Sequence, residues 1–120
     1  MTKQVTQIKI NMPTFVKRAK KTWATNKAKV SARGVYKQGK CVCIIGAGLT
    51  PKQLAIISRK GWNKTPIEQL IVDNVVVVDS KYVKRLDALQ EVFDNDYITP
   101  REKNEAIRLK LRHLEASVSR

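Results

Sequence analysis

Residues 41–53 read Cys41-Val42-Cys43-Ile44-Ile45-Gly46-Ala47-Gly48-Leu49-Thr50-Pro51-Lys52-Gln53. The apolar run Cys41–Ile45 is short, carries β-branched residues and follows Gly39, which suits a turn, so it predicts a buried strand. The run then gives way to a helix start. Thr50 is placed to cap the first turn with its hydroxyl, and Pro51 fits the first helical position, where its missing N–H is not needed. Gln53 stands where its side chain can bond back to the cap. The same Thr-Pro-x-Gln/Glu signature recurs in Thr65-Pro66-Ile67-Glu68 and Thr99-Pro100-Arg101-Glu102. These signatures read as structural punctuation and predict helices over 51–60, 66–72 and 100–118, with Gly61 supplying a left-handed cap to the first.

Working outward, Gln4 to Asn11 alternates in polarity as a half-buried strand does, and Met12-Pro13-Thr14 breaks it. Phe15, Ala19 and Trp23, with Val16 beside them, mark the apolar face of a basic helix over 13–26. Residues 26–38 read as a loop or the start of a hairpin. Asp73-Asn74 turns the chain into Val75–Val78, where four valines favour a strand. Tyr82, Leu86, Leu89 and Phe93, then Ile107, Leu111, Leu114 and Val118, give two helices over 81–93 and 100–118 with matching seams. A polar break at 94–99 joins them as an antiparallel helical hairpin, whose seams close the core or pair in a homodimer. The expectation is one α+β domain, residues 1–120, with a small sheet of about three strands (4–11, 41–45 and 75–78) packed with helices. It divides into a basic N-terminal region (1–40), a strand–helix–helix–strand core (41–79) and the hairpin (80–120).

The chain has 120 residues, 42% of them hydrophobic, which is enough for one core and excludes wholesale disorder. Two cysteines cannot build a disulfide-rich secreted scaffold. No apolar run nears the roughly 20 residues of a membrane span, and no signal-peptide pattern opens the chain, so no membrane association and a cytoplasmic setting are expected. Charge is distributed unevenly. Residues 1–67 hold 15 Lys or Arg and no carboxylate, whereas residues 68–120 hold 9 basic and 10 acidic residues; +15 and −1 make the net +14. Self-repulsion of this kind is offset by an anionic partner, and a polyphosphate does so well because cations condensed on it are released.

Residues 42–51 resemble the start of a Rossmann dinucleotide-binding fingerprint, with a strand leading into Gly46-Ala47-Gly48 and a helix. The resemblance implies a phosphate loop of Gly46, Gly48 and Thr50, and Val75–Val78 followed by Asp79 imitates the second strand. Pro51 replaces the fingerprint's Gly or Ala, and a second helix falls inside the span. Residues 54–70 resemble a helix-turn-helix, with Gly61 and Trp62 in the turn and Ile67 and Leu70 locking the pair. Its second helix offers Lys64, Glu68, Gln69 and Asp73, an acidic set for a groove lined by phosphates.

The strongest binding signal is Lys17, Arg18, Lys20, Lys21, Lys27, Lys29, Arg33, Lys37 and Lys40, which crowd one segment with no opposing charge. Lys52, Arg59, Lys60 and Lys64 extend it. Lysine acts as a hydrated point charge, which favours phosphate contacts over base reading. Trp23 and Tyr36 suit stacking on unpaired bases, although Trp23 shares the Phe15–Ala19 face and so reads as core. Cys41 and Cys43 read as small core residues, His113 as an exposed residue beside the seam, and Asp94 and Asp96 as a turn. Neither a catalytic constellation, a metal site nor a cofactor is expected. The sequence thus predicts a small basic nucleic-acid-binding protein, DNA ahead of RNA, regulatory or architectural, of a size and charge that suit a mobile element. The alternatives are an interaction or inhibitor protein docking on an acidic protein, and a nucleotide-binding protein using Gly46-Ala47-Gly48.

Overall fold

The computed structural model describes residues 7–25, 30, 35–95 and 97–118. The chain runs β1 (Ile8–Lys9), α1 (Met12–Thr25), β2 (Lys37–Gln38), β3 (Cys41–Val42), α2 (Ile44–Gly48), α3 (Pro51–Arg59), α4 (Ile67–Val72), β4 (Val76–Val77), a 3₁₀ turn (Ser80–Tyr82), α5 (Val83–Asp94) and α6 (Pro100–Val118). This is the mixed α+β class expected. Residues 4–6 of the first expected strand lie outside the described residues.

The three expected strands do not share one sheet. β1 runs parallel to β4, with Ile8 opposite Val76 and Lys9 opposite Val77. β3 instead pairs antiparallel with β2, Lys37 opposite Val42 and Gln38 opposite Cys41. Gly39 turns this hairpin at φ +61°, where other residues are strained.

The apolar run itself divides. Its first two residues are strand, and after Val42 the chain enters α2, so the expected strand over 41–45 is corrected to a strand and a short helix. Cys43 caps α2, its Sγ accepting from the Gly46 N–H at 3.3 Å. Apolarity alone does not separate a short buried strand from a short buried helix. Glycine in a helix costs about 1 kcal/mol relative to alanine, and tertiary packing offsets that cost here. The Phe15 ring occupies the space a side chain on Gly48 would need, and the Tyr36 carbonyl does the same at Gly46. The two glycines therefore let α1 and the β2 strand close onto α2, all five residues of which are buried.

Two of the three threonine caps form as expected. The Thr50 hydroxyl accepts from Gln53 N–H at 3.2 Å while Gln53 Oε1 accepts from Thr50 N–H at 3.0 Å. Thr99 and Glu102 repeat this at 3.1 and 3.2 Å. Thr65 does not cap: α4 begins at Ile67 with Pro66 before it and no side-chain cap from that position. Gln90 of α5 supplies the missing acceptor, taking the Ile67 N–H at 3.1 Å, and the Thr65 carbonyl accepts from the Tyr36 hydroxyl at 2.5 Å. Accordingly, Thr50→Ala and Thr99→Ala should each lose about 1 kcal/mol in urea denaturation, and Thr65→Ala only about 0.3 kcal/mol.

Gly61 ends α3 as expected, at φ +76°, with Trp62 N–H on Ile57 O at 2.9 Å and Gly61 N–H on Ser58 O at 3.2 Å. Asn74 (φ +62°) closes α4 in the same way, with Val75 N–H on Leu70 O at 2.9 Å; a short polar side chain tolerates this conformation better than most. In the core, α1 packs on α2 and α6, and α5 packs on α2, α4 and α6. Leu86, Leu89, Phe93, Ile107, Leu111 and Leu114 are buried within this one chain, so the two seams close its own core. Because α6 divides its contacts between α5 and α1, the C-terminal helices are built into the same core as the N-terminal one. No helix among the described residues is long and apolar enough to cross a membrane.

Candidate nucleic-acid interface

A groove of about 600 Å³ opens between α1, the β2–β3 hairpin, α2 and the start of α3. Arg18, Lys37 and Lys40 line it together with Thr22 and Cys41, over the buried side chains of Val42, Ala47, Leu49 and Leu54; among the described residues no carboxylate lines it. The cations reach it from separate elements, so the convergence is a product of the fold.

Each is positioned by a specific device. Arg18 is half-buried and donates its Nε–H to the Leu49 carbonyl at 3.3 Å. That bond fixes the guanidinium on the wall and leaves its Nη groups, which make no hydrogen bond or ion pair among the described residues, available to an anion. Lys37 and Lys40 flank the Gly39 turn and are exposed. Asn63 clamps the hairpin from α3's far end. Its Oδ1 accepts from the N–H groups of Tyr36 and Lys37, each at 3.1 Å, and its Nδ2 donates to Lys37 O at 2.9 Å. Nothing in the composition singles out Asn63; its position in the loop after Gly61 is the only sequence signal. Tyr36 is 1% exposed and spends its hydroxyl on Thr65, so it does not offer a face for stacking. Trp23 packs, partly buried, against the core.

The other predicted cations are dispersed. On α1 the 100° step per residue puts Lys17 and Lys21 on one exposed face, next to Arg18, and Lys20 on the far flank. There Lys20 pairs with Glu115 of α6 at 2.8 Å, and it is the only one of the predicted set in an ion pair among the described residues. Lys52 and Arg59 are exposed on the side of α3 opposite Leu54. Lys60 is exposed at the end of that helix. Lys64 lines a different groove, of about 760 Å³, beside Asp87, Glu91 and Asp94 of α5, where the carboxylates oppose a polyanion. Lys27, Lys29 and Arg33 lie outside the described residues.

No protein-family model, curated protein or solved structure matches the chain. The geometry must therefore speak for itself.

It does not support the two motif resemblances. Gly46 and Gly48 are buried, Gly46 facing Tyr36 at the wall of the groove and Gly48 facing Phe15, and the Thr50 hydroxyl accepts from Gln53 N–H. The strand that should pair in parallel with β3 pairs with β1 instead. In the helix-turn-helix segment α4 packs on α5, and it is six residues long with Glu68 and Gln69 exposed. Cys43 is buried, and that burial pushes its thiol up to about 11. Cys41 departs from expectation: it is half-exposed and lines the groove. One basic cluster escaped the sequence reading. Lys84 and Arg85 of α5 meet Lys110 and His113 of α6 around a small groove of about 170 Å³. Their spacing on two helices with matched seams was the available signal, hidden by a near-zero charge over residues 68–120.

Proposed function

We propose that this protein binds nucleic acid, chiefly through phosphate contacts, and that the groove between α1 and the β2–β3 hairpin anchors the strand. One observation carries the reading: Arg18, Lys37 and Lys40 line a single concavity that no carboxylate lines among the described residues. Such a cluster repels itself unless an anion neutralises it. Lys17 and Lys21, one step round α1, extend the cationic track beyond the groove. Lysine and a tethered arginine recognise phosphate without demanding a sequence, which suits a regulatory or architectural role.

A mobility-shift titration against duplex and single strands at several salt concentrations tests this. With about six phosphates engaged, log affinity should fall linearly with log salt, losing about five decades per decade of salt on duplex DNA and about four on a single strand. An acidic protein partner or a lone nucleotide releases no such counterion atmosphere. A flat response, or no binding to any strand at low salt, rejects the proposal.

A further inference from the structure

We infer that the second basic cluster, Lys84 and Arg85 of α5 with Lys110 and His113 of α6, binds the phosphates of a second duplex, so that one chain bridges two nucleic-acid segments. This rests on the nucleic-acid reading above and adds to it a separate contact surface.

The cluster lies across the molecule from the groove. α1 packs on α2 and α6, and α5 packs on α6 and α2, so the four helices close a ring. The groove opens at the α1–α2 edge and the cluster at the α5–α6 edge, with no lining residue in common among those described. The helical step of about 100° agrees with this placement. Glu115, which meets Lys20 of α1, stands about 140–160° round α6 from Lys110 and His113. Arg18 stands about 160° round α1 from Lys20, and so faces away from α6. A duplex far shorter than its persistence length of about 150 base pairs does not bend round such a body, so the second surface needs a second duplex.

Charge complementarity specifies the occupant. Lys84, Arg85 and His113 are exposed and Lys110 is half-buried. None of the four makes an ion pair or hydrogen bond among the described residues, and no carboxylate among them lines the cleft. Acids to neutralise the cluster were at hand, since residues 68–120 hold 10 acidic residues against 9 basic ones. The fold sends them elsewhere. Asp87, Glu91 and Asp94 line the groove that contains Lys64, and Asp87 and Asp94 stand about 160–180° round α5 from Arg85. Glu102 accepts from Thr99, Glu105 pairs with Arg108, and Glu115 pairs with Lys20. Cations gathered without an acid repel one another until an anion neutralises them. The cleft, about 170 Å³, is smaller than the roughly 300–1,000 Å³ of pockets that enclose a small ligand, so it suits phosphates of a backbone passing over it.

Capture of one duplex by another tests the inference. A biotinylated duplex of about 16 base pairs is immobilised, loaded with protein and washed, and a fluorescent duplex of unrelated sequence and equal length is titrated on. At about 0.01 M salt the loaded protein should capture the fluorescent duplex with a dissociation constant in the micromolar range, and three permanently charged contacts should weaken capture by about 2.7 decades per decade of salt. Combining Lys84→Gln, Arg85→Gln and Lys110→Gln should weaken capture more than about 100-fold, while affinity for a single duplex at about 0.1 M salt stays within about threefold, which also reports an intact fold. Lys52→Gln, Arg59→Gln and Lys60→Gln remove the same charge from α3 and should leave capture within about threefold. Absence of capture by unaltered protein that binds single duplexes overturns the inference and leaves the groove reading standing. So does undiminished capture by the α5–α6 variant, as a dimer bridging through two grooves would give, or an equal loss in the α3 variant. Absence of binding to any strand at low salt overturns both.

Discussion

Combining Arg18→Gln, Lys37→Gln and Lys40→Gln should flatten the salt dependence of duplex binding by about 2.7 and weaken binding about 500-fold at about 0.1 M salt. Each neutralised contact removes roughly 0.9 from the slope, and at a tenth of molar salt each is worth nearly one decade of affinity. The loss should be similar for unrelated sequences, since phosphates carry no base information. Circular dichroism should show the fold retained, because Lys37 and Lys40 are exposed and only the Arg18–Leu49 bond is lost. Lys64→Gln is the matched control: among Asp87, Glu91 and Asp94 it should leave the slope unchanged. Lys20→Gln should act similarly, since Glu115 already claims that ammonium. If Lys64→Gln flattens the slope as much as a groove substitution does, the groove is not the anchor.

Gly48→Val should cost about 3 kcal/mol or more and lower the melting temperature by roughly 10–15 °C. A side chain at this position meets the Phe15 ring, which has no room to retreat because it is itself buried against α1's neighbours. The loss would be one of folding and would occur with or without any nucleotide present. Phe15→Ala alone should cost about 3–5 kcal/mol through the cavity it leaves. In the double variant the valine occupies part of that cavity, so its loss should be smaller than the sum of the two single losses, by a coupling of about 1–2 kcal/mol. Strict additivity would show that Gly48 and Phe15 do not meet as described.

What the sequence made legible was local. Thr50 with Gln53, Thr99 with Glu102, and Gly61 after α3 are devices whose partners lie within a few residues, and all three form. The seams at Leu86, Leu89, Ile107 and Leu111 were legible because they follow the helical period, and they are buried. Thr65 misled because the acceptor that serves α4 comes from Gln90, on another helix. Ile44 and Ile45 misled because the partners that make a glycine-bearing helix tolerable, Phe15 and Tyr36, are distant in sequence or loop-borne. The site shows the same division. The basic segment was visible as composition, but only the fold separates Arg18, which reaches the groove, from Lys20, which is held by α6. Lys84, Arg85, Lys110 and His113 were invisible because their meeting depends on how α5 and α6 pack.

The Lys20–Glu115 contact spans 95 residues, and the helix that carries Lys20 depends on α6 for part of its cover. On the ribosome, α1 is therefore born as a cationic amphipathic segment that finds α2 early, while its second docking surface has yet to be translated. Cover of its Lys20 flank waits for nearly the whole of the chain described here, so the last step of assembly comes late in synthesis. A nascent or truncated product lacking α6 would leave that flank of a positively charged helix uncovered amid ribosomal RNA, and that is the species a chaperone or protease would meet first.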